Sequence, residues 1–196
     1  MYTKLSISKL NQKKGKAKFK RRHKMKIIFL RHGDYKIDKL TKLGKKQASL
    51  SYYDLYYENV QKIYCSPITR TFQTASIIAK KLHIKEIIAD DRLKEREHLR
   101  PESLAEVQKQ YNENYLNAEF SMRNPEGCKE FIERVFSFLD EAINENLQED
   151  KNILIVGHSS MAYVINSYFT GIPSNNQLVW MRLGNCSKIA YEKQKN

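Results

Sequence analysis

The chain has 196 residues, 41% of them hydrophobic and 29% charged, enough for one domain with a sizeable core. No stretch approaches the roughly 18 apolar residues that a membrane-crossing helix needs, which excludes such a span. The formal net charge of +13 is concentrated: residues 1–24 hold ten Lys or Arg and no acid, leaving 25 basic against 22 acidic residues, or +3, for the rest.

A cationic segment this dense repels itself and has little to bury, so residues 1–24 are expected to form a disordered N-terminal extension. Three readings fit it. It makes weak electrostatic contact with nucleic acid or an anionic membrane, it is a presequence, or it is a solvated arm upstream of a shorter chain starting at Met25. Tyr2 and Phe19 are its only aromatics, too few to suggest base stacking. Cys65, Cys128 and Cys186 are widely spaced, with no CxxC pair and no signal-peptide pattern. They read as free thiols in a reducing compartment, the cytoplasm.

From Met25 onward short apolar runs alternate with helical periodicity. Runs at 27–30, 62–65, 84–88 and 153–156 read as strands. After the first, Thr41 is the expected N-cap of a helix through residues 42–57. After the second, Ser66 caps and Pro67 opens a helix whose apolar face is Ile68, Phe72, Ala75, Ile78, Ala79 and Leu82. Pro101 opens a third helix to about Leu116. A fourth, over 129–147, aligns Phe131, Ile132, Val135, Phe136, Leu139 and Ile143 on one side. The last begins after His158 and stops at Gly171-Ile172-Pro173, and "SKIAYE" is a final edge strand. The alternation predicts a single α/β domain over 25–196 with a mostly parallel sheet and no internal repeat.

In such sheets ligands gather beyond the carboxyl ends of the strands. Arg31, His32 and Gly33 follow the first strand. Ser66 and Pro67 follow the second, with Arg70 one turn into its helix. Asp90, Asp91, Arg92 and Glu95 follow the third, and Gly157, His158 and Ser159 the fourth. Two arginines aimed at one point suit a phosphate, whose oxygens the guanidinium fork binds in pairs. His158 at a helix entry adds a donor to the positive helix end. A neutral imidazole among cations is a competent nucleophile, and His32 attacking phosphorus would give a phosphohistidine. The leaving alkoxide then needs a proton, which a protonated carboxyl can supply. Spacing alone leaves that carboxyl open. No two histidines or cysteines lie at ligand spacing, so no metal site is expected.

"FLRHG", "LTKLGKKQA", "YCSPITRTFQTA", "RLKE" and "VGHSS", in that order, resemble the histidine phosphatase (phosphoglycerate mutase-like) superfamily over roughly residues 26–192. The resemblance implies a three-layer α/β/α sandwich and phosphoryl transfer without metal or cofactor. It makes His32 the nucleophile, Glu95 the proton donor, and Arg31, Arg70 and His158 the phosphate-binding residues. Three departures stand out. Asp34 replaces the family's usual Glu or Gln, and Cys65 stands in for a serine as a packing swap. The glycine usual after the acid is missing from "LKEREHLRPES", which keeps Glu97 and Glu102 as alternative acids.

The cofactor-dependent mutases of the superfamily resemble this chain but carry a longer segment between RHG and the LT element, with a tryptophan-asparagine pair. Here seven residues, Asp34 to Leu40, separate Gly33 from Thr41, and the single tryptophan is distant at Trp180. The expectation is therefore a phosphatase acting on a phosphorylated small molecule or a phosphoprotein. The alternatives are a phosphoglycerate mutase-type phosphotransferase, or a non-enzymatic protein that binds anions or nucleic acid through the basic extension. The segment from Glu95 to Asn124, with Tyr111, Tyr115, Phe120 and Arg123, is expected to cover the site and set specificity.

Overall fold

Five strands make the central sheet of the computed structural model, which describes residues 24–96, 128–172 and 183–194. The chain opens with strand β1 (Lys24–Arg31), a small hairpin of β2 (Tyr35–Lys36) and β3 (Lys39–Leu40), and helix α1 (Lys42–Leu55). Strand β4 (Val60–Cys65), helix α2 (Thr69–Leu82) and strand β5 (Ile87–Ala89) follow. Helix α3 (Cys128–Gln148), strand β6 (Asn152–Gly157), helix α4 (Ser159–Thr170) and strand β7 (Lys188–Gln194) complete the described elements. The sheet order is β5-β4-β6-β1-β7. All neighbours run parallel except β7, which lies antiparallel on β1 at the edge.

β1 is a continuous apolar run because both faces of the sheet are covered. Alternation along it sends Ile27 and Phe29 into one core with Phe131, Val135 and Leu139 of α3 and Met161 to Ile165 of α4. Ile28 and Leu30 enter the other, with Leu55 of α1 and Ala75, Ile78 and Ala79 of α2. The result is the expected three-layer α/β/α arrangement, mostly parallel, with four helices among the described residues. None of these helices is long and apolar enough to cross a membrane.

Several boundaries differ from the sequence expectation. α1 stops at Leu55, and a tight turn over Tyr56–Glu58 ends in a left-handed Asn59 (φ 50°), which turns the chain into β4. β5 covers Ile87–Ala89 rather than 84–88. α2 begins at Thr69, not Pro67. Ser66 Oγ accepts from the Ile68 amide (3.3 Å), and Thr71 Oγ1 donates back to the Ser66 carbonyl (2.9 Å), so Ser66 and Pro67 form the lead-in. Phe72 is 44% exposed, because the buried side of α2 carries Arg70, Thr71 and Thr74 in its first turns instead. The helix expected from Pro101 and the aromatics of residues 97–127 lie outside the described residues.

Candidate active site

β1 and β6 are paired in register, Arg31 opposite Gly157, so His32 and His158 leave the sheet side by side. Their rings meet edge to face at 5.4 Å. The His32 amide donates to the Gly157 carbonyl (3.0 Å), and its Nδ1 lies 2.8 Å from its neighbour's carbonyl at Gly33. With Nδ1–H donating there, Nε2 keeps its lone pair, and Arg70 Nε–H points at it from 3.2 Å. Burial lowers the His32 pKa to about 4, Arg70 and Arg31 adding to the effect against the opposing Gly33 bond. The ring is 2% exposed and neutral across the physiological range.

Two glycines let this turn form. A Cβ on Gly33 would lie 2.6 Å from the Gly44 carbonyl oxygen, and one on Gly44 would lie 1.9 Å from that of Asp34. The backbone after β1 thus rests directly on the first turn of α1. Thr41 joins them: its Oγ1 accepts from the Gly44 amide (3.1 Å) as N-cap and donates to Asp34 Oδ2 (2.5 Å). The Gly33 amide donates to Thr74 Oγ1 on α2 (3.1 Å).

Arg70, in the first turn of α2 and 8% exposed, is the hub. Besides His32, its Nη2 donates to Glu95 Oε2 (2.6 Å) and lies 3.1 Å from His158 Nδ1, while Nη1 donates to Asp38 Oδ1 (2.5 Å). Glu95 also stands 3.5 Å from His158 Nδ1. Burial raises the Glu95 pKa above the usual carboxylate value despite Arg70 and Arg31, whose pull works the other way. Arg70 divides its charge among Glu95, Asp38 and two imidazoles, which fits that outcome. His158, fully buried at the entry of α4, has its pKa lowered to about 2 by burial, then by Arg70 and His32.

Arg31 reaches the same edge from β1. Its Nη1 donates to the Leu183 carbonyl (2.6 Å), and its buried Nε has no partner among the described residues. The turn over 183–187 clasps this strand end. Cys186 donates its amide to the carbonyls of Arg31 (3.0 Å) and His32 (3.3 Å), Asn185 Nδ2 donates to the His32 carbonyl (3.2 Å), and Arg31 donates its amide to Ser187 (3.1 Å).

The structure therefore brings Arg31, His32, Arg70, Glu95 and His158 to one edge. Asp90 and Arg92 bond each other instead, with Arg92 reaching on to Glu141 of α3. Glu97 and Glu102 lie outside the described residues. Cys65 is fully buried in the core with its thiol pKa pushed up to about 12, a packing residue at that position. Sequence reading missed Asp38 and Tyr35. The Tyr35 ring sits edge-on to His32 (4.9 Å), and the Arg70 guanidinium lies over its face (4.5 Å). No group of three His, Cys, Asp or Glu among the described residues could hold a metal ion.

A neutral imidazole with an unprotonated Nε2, two guanidinium groups, a second imidazole and a carboxyl of raised pKa can together bind a phosphate, attack it and protonate a leaving oxygen. A model of the histidine phosphatase superfamily (branch 1) matches residues 21–196. A putative phosphoserine phosphatase 2 of Hydrogenobacter thermophilus is 32% identical over 144 residues, 70% of this chain and 69% of that protein. A probable phosphoglycerate mutase GpmB of Yersinia enterocolitica is 30% identical over 163 residues, 79% of this chain and 74% of that protein. Among solved structures, a mycobacterial glucosyl-3-phosphoglycerate phosphatase superposes with a TM-score of 0.68 at 20% identity, covering 85% of this chain and 90% of its own. That last likeness is one of fold.

Proposed function

Since the chain belongs to branch 1 of the histidine phosphatase superfamily, we propose that this phosphatase hydrolyses phosphomonoesters through a phosphohistidine on His32. The observation that carries the reading is the His32 ring itself. Nδ1 is fixed on the Gly33 carbonyl, so the unprotonated Nε2 faces the arginine hub.

Arg31, Arg70 and His158 hold the phosphate oxygens. His32 Nε2 attacks phosphorus as the bond to the substrate oxygen breaks, and the Glu95 carboxyl gives that oxygen its proton. Water then attacks the phosphohistidine, Glu95 takes up the water's proton, the P–N bond breaks, and inorganic phosphate leaves with His32 regenerated. The short link from Gly33 to Thr41, unlike the longer segment of the cofactor-dependent mutases that the chain resembles, supports reading the reaction as hydrolysis. Phosphoserine and other small phosphomonoesters are the substrates to try first, given the names of the relatives.

A cytoplasmic site of action and a weak contact of residues 1–24 with nucleic acid or anionic membrane belong to the same reading. Free thiols at Cys65 and Cys186 support the first, and the ten basic residues the second. The test is phosphate release in EDTA from phosphoserine, phosphopeptides, 3-phosphoglycerate, sugar phosphates and p-nitrophenyl phosphate. Release by the wild type and none by His32→Ala is the expected result. Equal release by both would exclude His32 as nucleophile.

A further inference from the structure

The hairpin over the site carries a feature that phosphoryl transfer on His32 does not use. Its two turn residues, Ile37 (φ 45°) and Asp38 (φ 66°), both have left-handed backbone. Such turns ordinarily take Gly or Asn, and a β-branched residue there is an outlier. Ile37 is 87% exposed, so burial of its side chain does not offset the strain. Both ends of the hairpin are pinned. The Thr41 amide donates to the Asp34 carbonyl (3.0 Å), and the Leu40 amide donates to Gln73 Oε1 of α2 (2.9 Å).

What this strained turn achieves is the placement of one carboxylate. Asp38 Oδ1 sits 2.5 Å from Arg70 Nη1 while Nη2 and Nε of the same guanidinium face Glu95, His158 and His32. Nη1 is thus the corner of the arginine held by an anion other than the acid. The two carboxyl groups differ in exposure: the Asp38 side chain is 48% exposed and Glu95 29%. Asp38 is the one that can move aside into water.

We propose that Asp38 is a displaceable counter-anion for Arg70, a positioning residue that weakens phosphate binding and hastens product release. This rests on the reading of the site as a phosphate site. In the free enzyme the Asp38 carboxylate holds the guanidinium in place. It cedes Nη1 to an oxygen of the entering phosphate, whose greater negative charge competes for the same N–H, and reclaims it as inorganic phosphate departs. No covalent step is involved.

The alternative role, orienting Arg70 for the phosphate, predicts the opposite sign, so direct binding decides. Inorganic phosphate and orthovanadate are titrated calorimetrically, in a buffer without chelator, into full-length wild type, Asp38→Asn and Asp38→Glu. Asp38→Asn should bind both anions roughly three- to tenfold more tightly, the span between a screened and a half-buried pair. KM for a phosphomonoester should fall in step, and Asp38→Glu should return towards wild type. Equal or weaker binding by Asp38→Asn overturns the proposal while leaving the phosphate site intact. Absence of binding to every variant, wild type included, overturns the phosphate site and this role with it.

Discussion

Below about pH 4 His32 takes up a proton and loses the lone pair on Nε2, whereas Glu95 loses its proton as pH rises through its elevated pKa. A nucleophile must be unprotonated and an acid protonated, so kcat/KM should follow a bell, its acid limb near pH 4 and its alkaline limb set by Glu95. Glu95→Gln should erase the alkaline limb and slow alkyl phosphates by roughly 100- to 10,000-fold. Aryl phosphates, whose leaving groups need little protonation, should suffer far less. An alkaline limb that survives in Glu95→Gln, read from pH–rate profiles on both substrate types, would move the acid to Glu97 or Glu102. The gathering of Arg31, His32, Arg70, Glu95 and His158 was legible in the sequence because each follows a strand end closely. Asp38 was not: it arrives through a turn with neither Gly nor Asn, so nothing local announces that the chain reverses there.

At the level of elements, the entry of α1 and the turn after β1 form one unit. Thr41→Ala removes both the cap on the Gly44 amide and the bond to Asp34. It should lower stability by about 1 kcal/mol in urea denaturation, with Thr41→Ser restoring most of it. Gly44→Ala is expected to cost more, at least about 2 kcal/mol, because its Cβ has only 1.9 Å to a backbone oxygen and cannot be relieved by a side-chain rotation. A wild-type denaturation midpoint for Gly44→Ala would mean that the two backbones are not in contact. The spacing of "LTKLG" from RHG was readable as a pattern, but its cause, two backbones in contact, is tertiary. α2 makes the same point from the other side. Apolar periodicity assigned Phe72 to the core, yet the buried face of its first turn is polar because it serves the site.

The whole molecule keeps two imidazoles neutral in its interior, and stability should respond. With native pKa values of about 4 for His32 and about 2 for His158, the folded state stays unprotonated while the unfolded chain titrates at the ordinary imidazole value of 6.5. Both pKa values are depressed, so the contribution is fully present above about pH 6.5 and is lost as pH falls, to about 4 for His32 and on to about 2 for His158. For His32 alone the loss is about 3 kcal/mol. Urea midpoints should drop between pH 7 and 4.5, and His32→Ala should flatten that slope; an unchanged slope would contradict a buried neutral ring. A mostly parallel sheet covered on both faces and the edge position of β7 were visible in the apolar run of β1 and the amphipathic α3, but the strand order, the antiparallel sense of β7 and the clasp over 183–187 were not. That clasp joins residues separated by 153 positions, Asn185 to His32. Synthesis runs from the amino end, so the nucleophile emerges early and its restraint among the last described residues. A nascent chain halted before residue 183 would already hold all five side chains of the site, yet it would lack the donors that Cys186 and Asn185 give the carbonyls of Arg31 and His32. Activity should switch on only when that turn and the β7 strand behind it are added, which chains released from ribosomes at successive lengths would reveal as a step rather than a ramp.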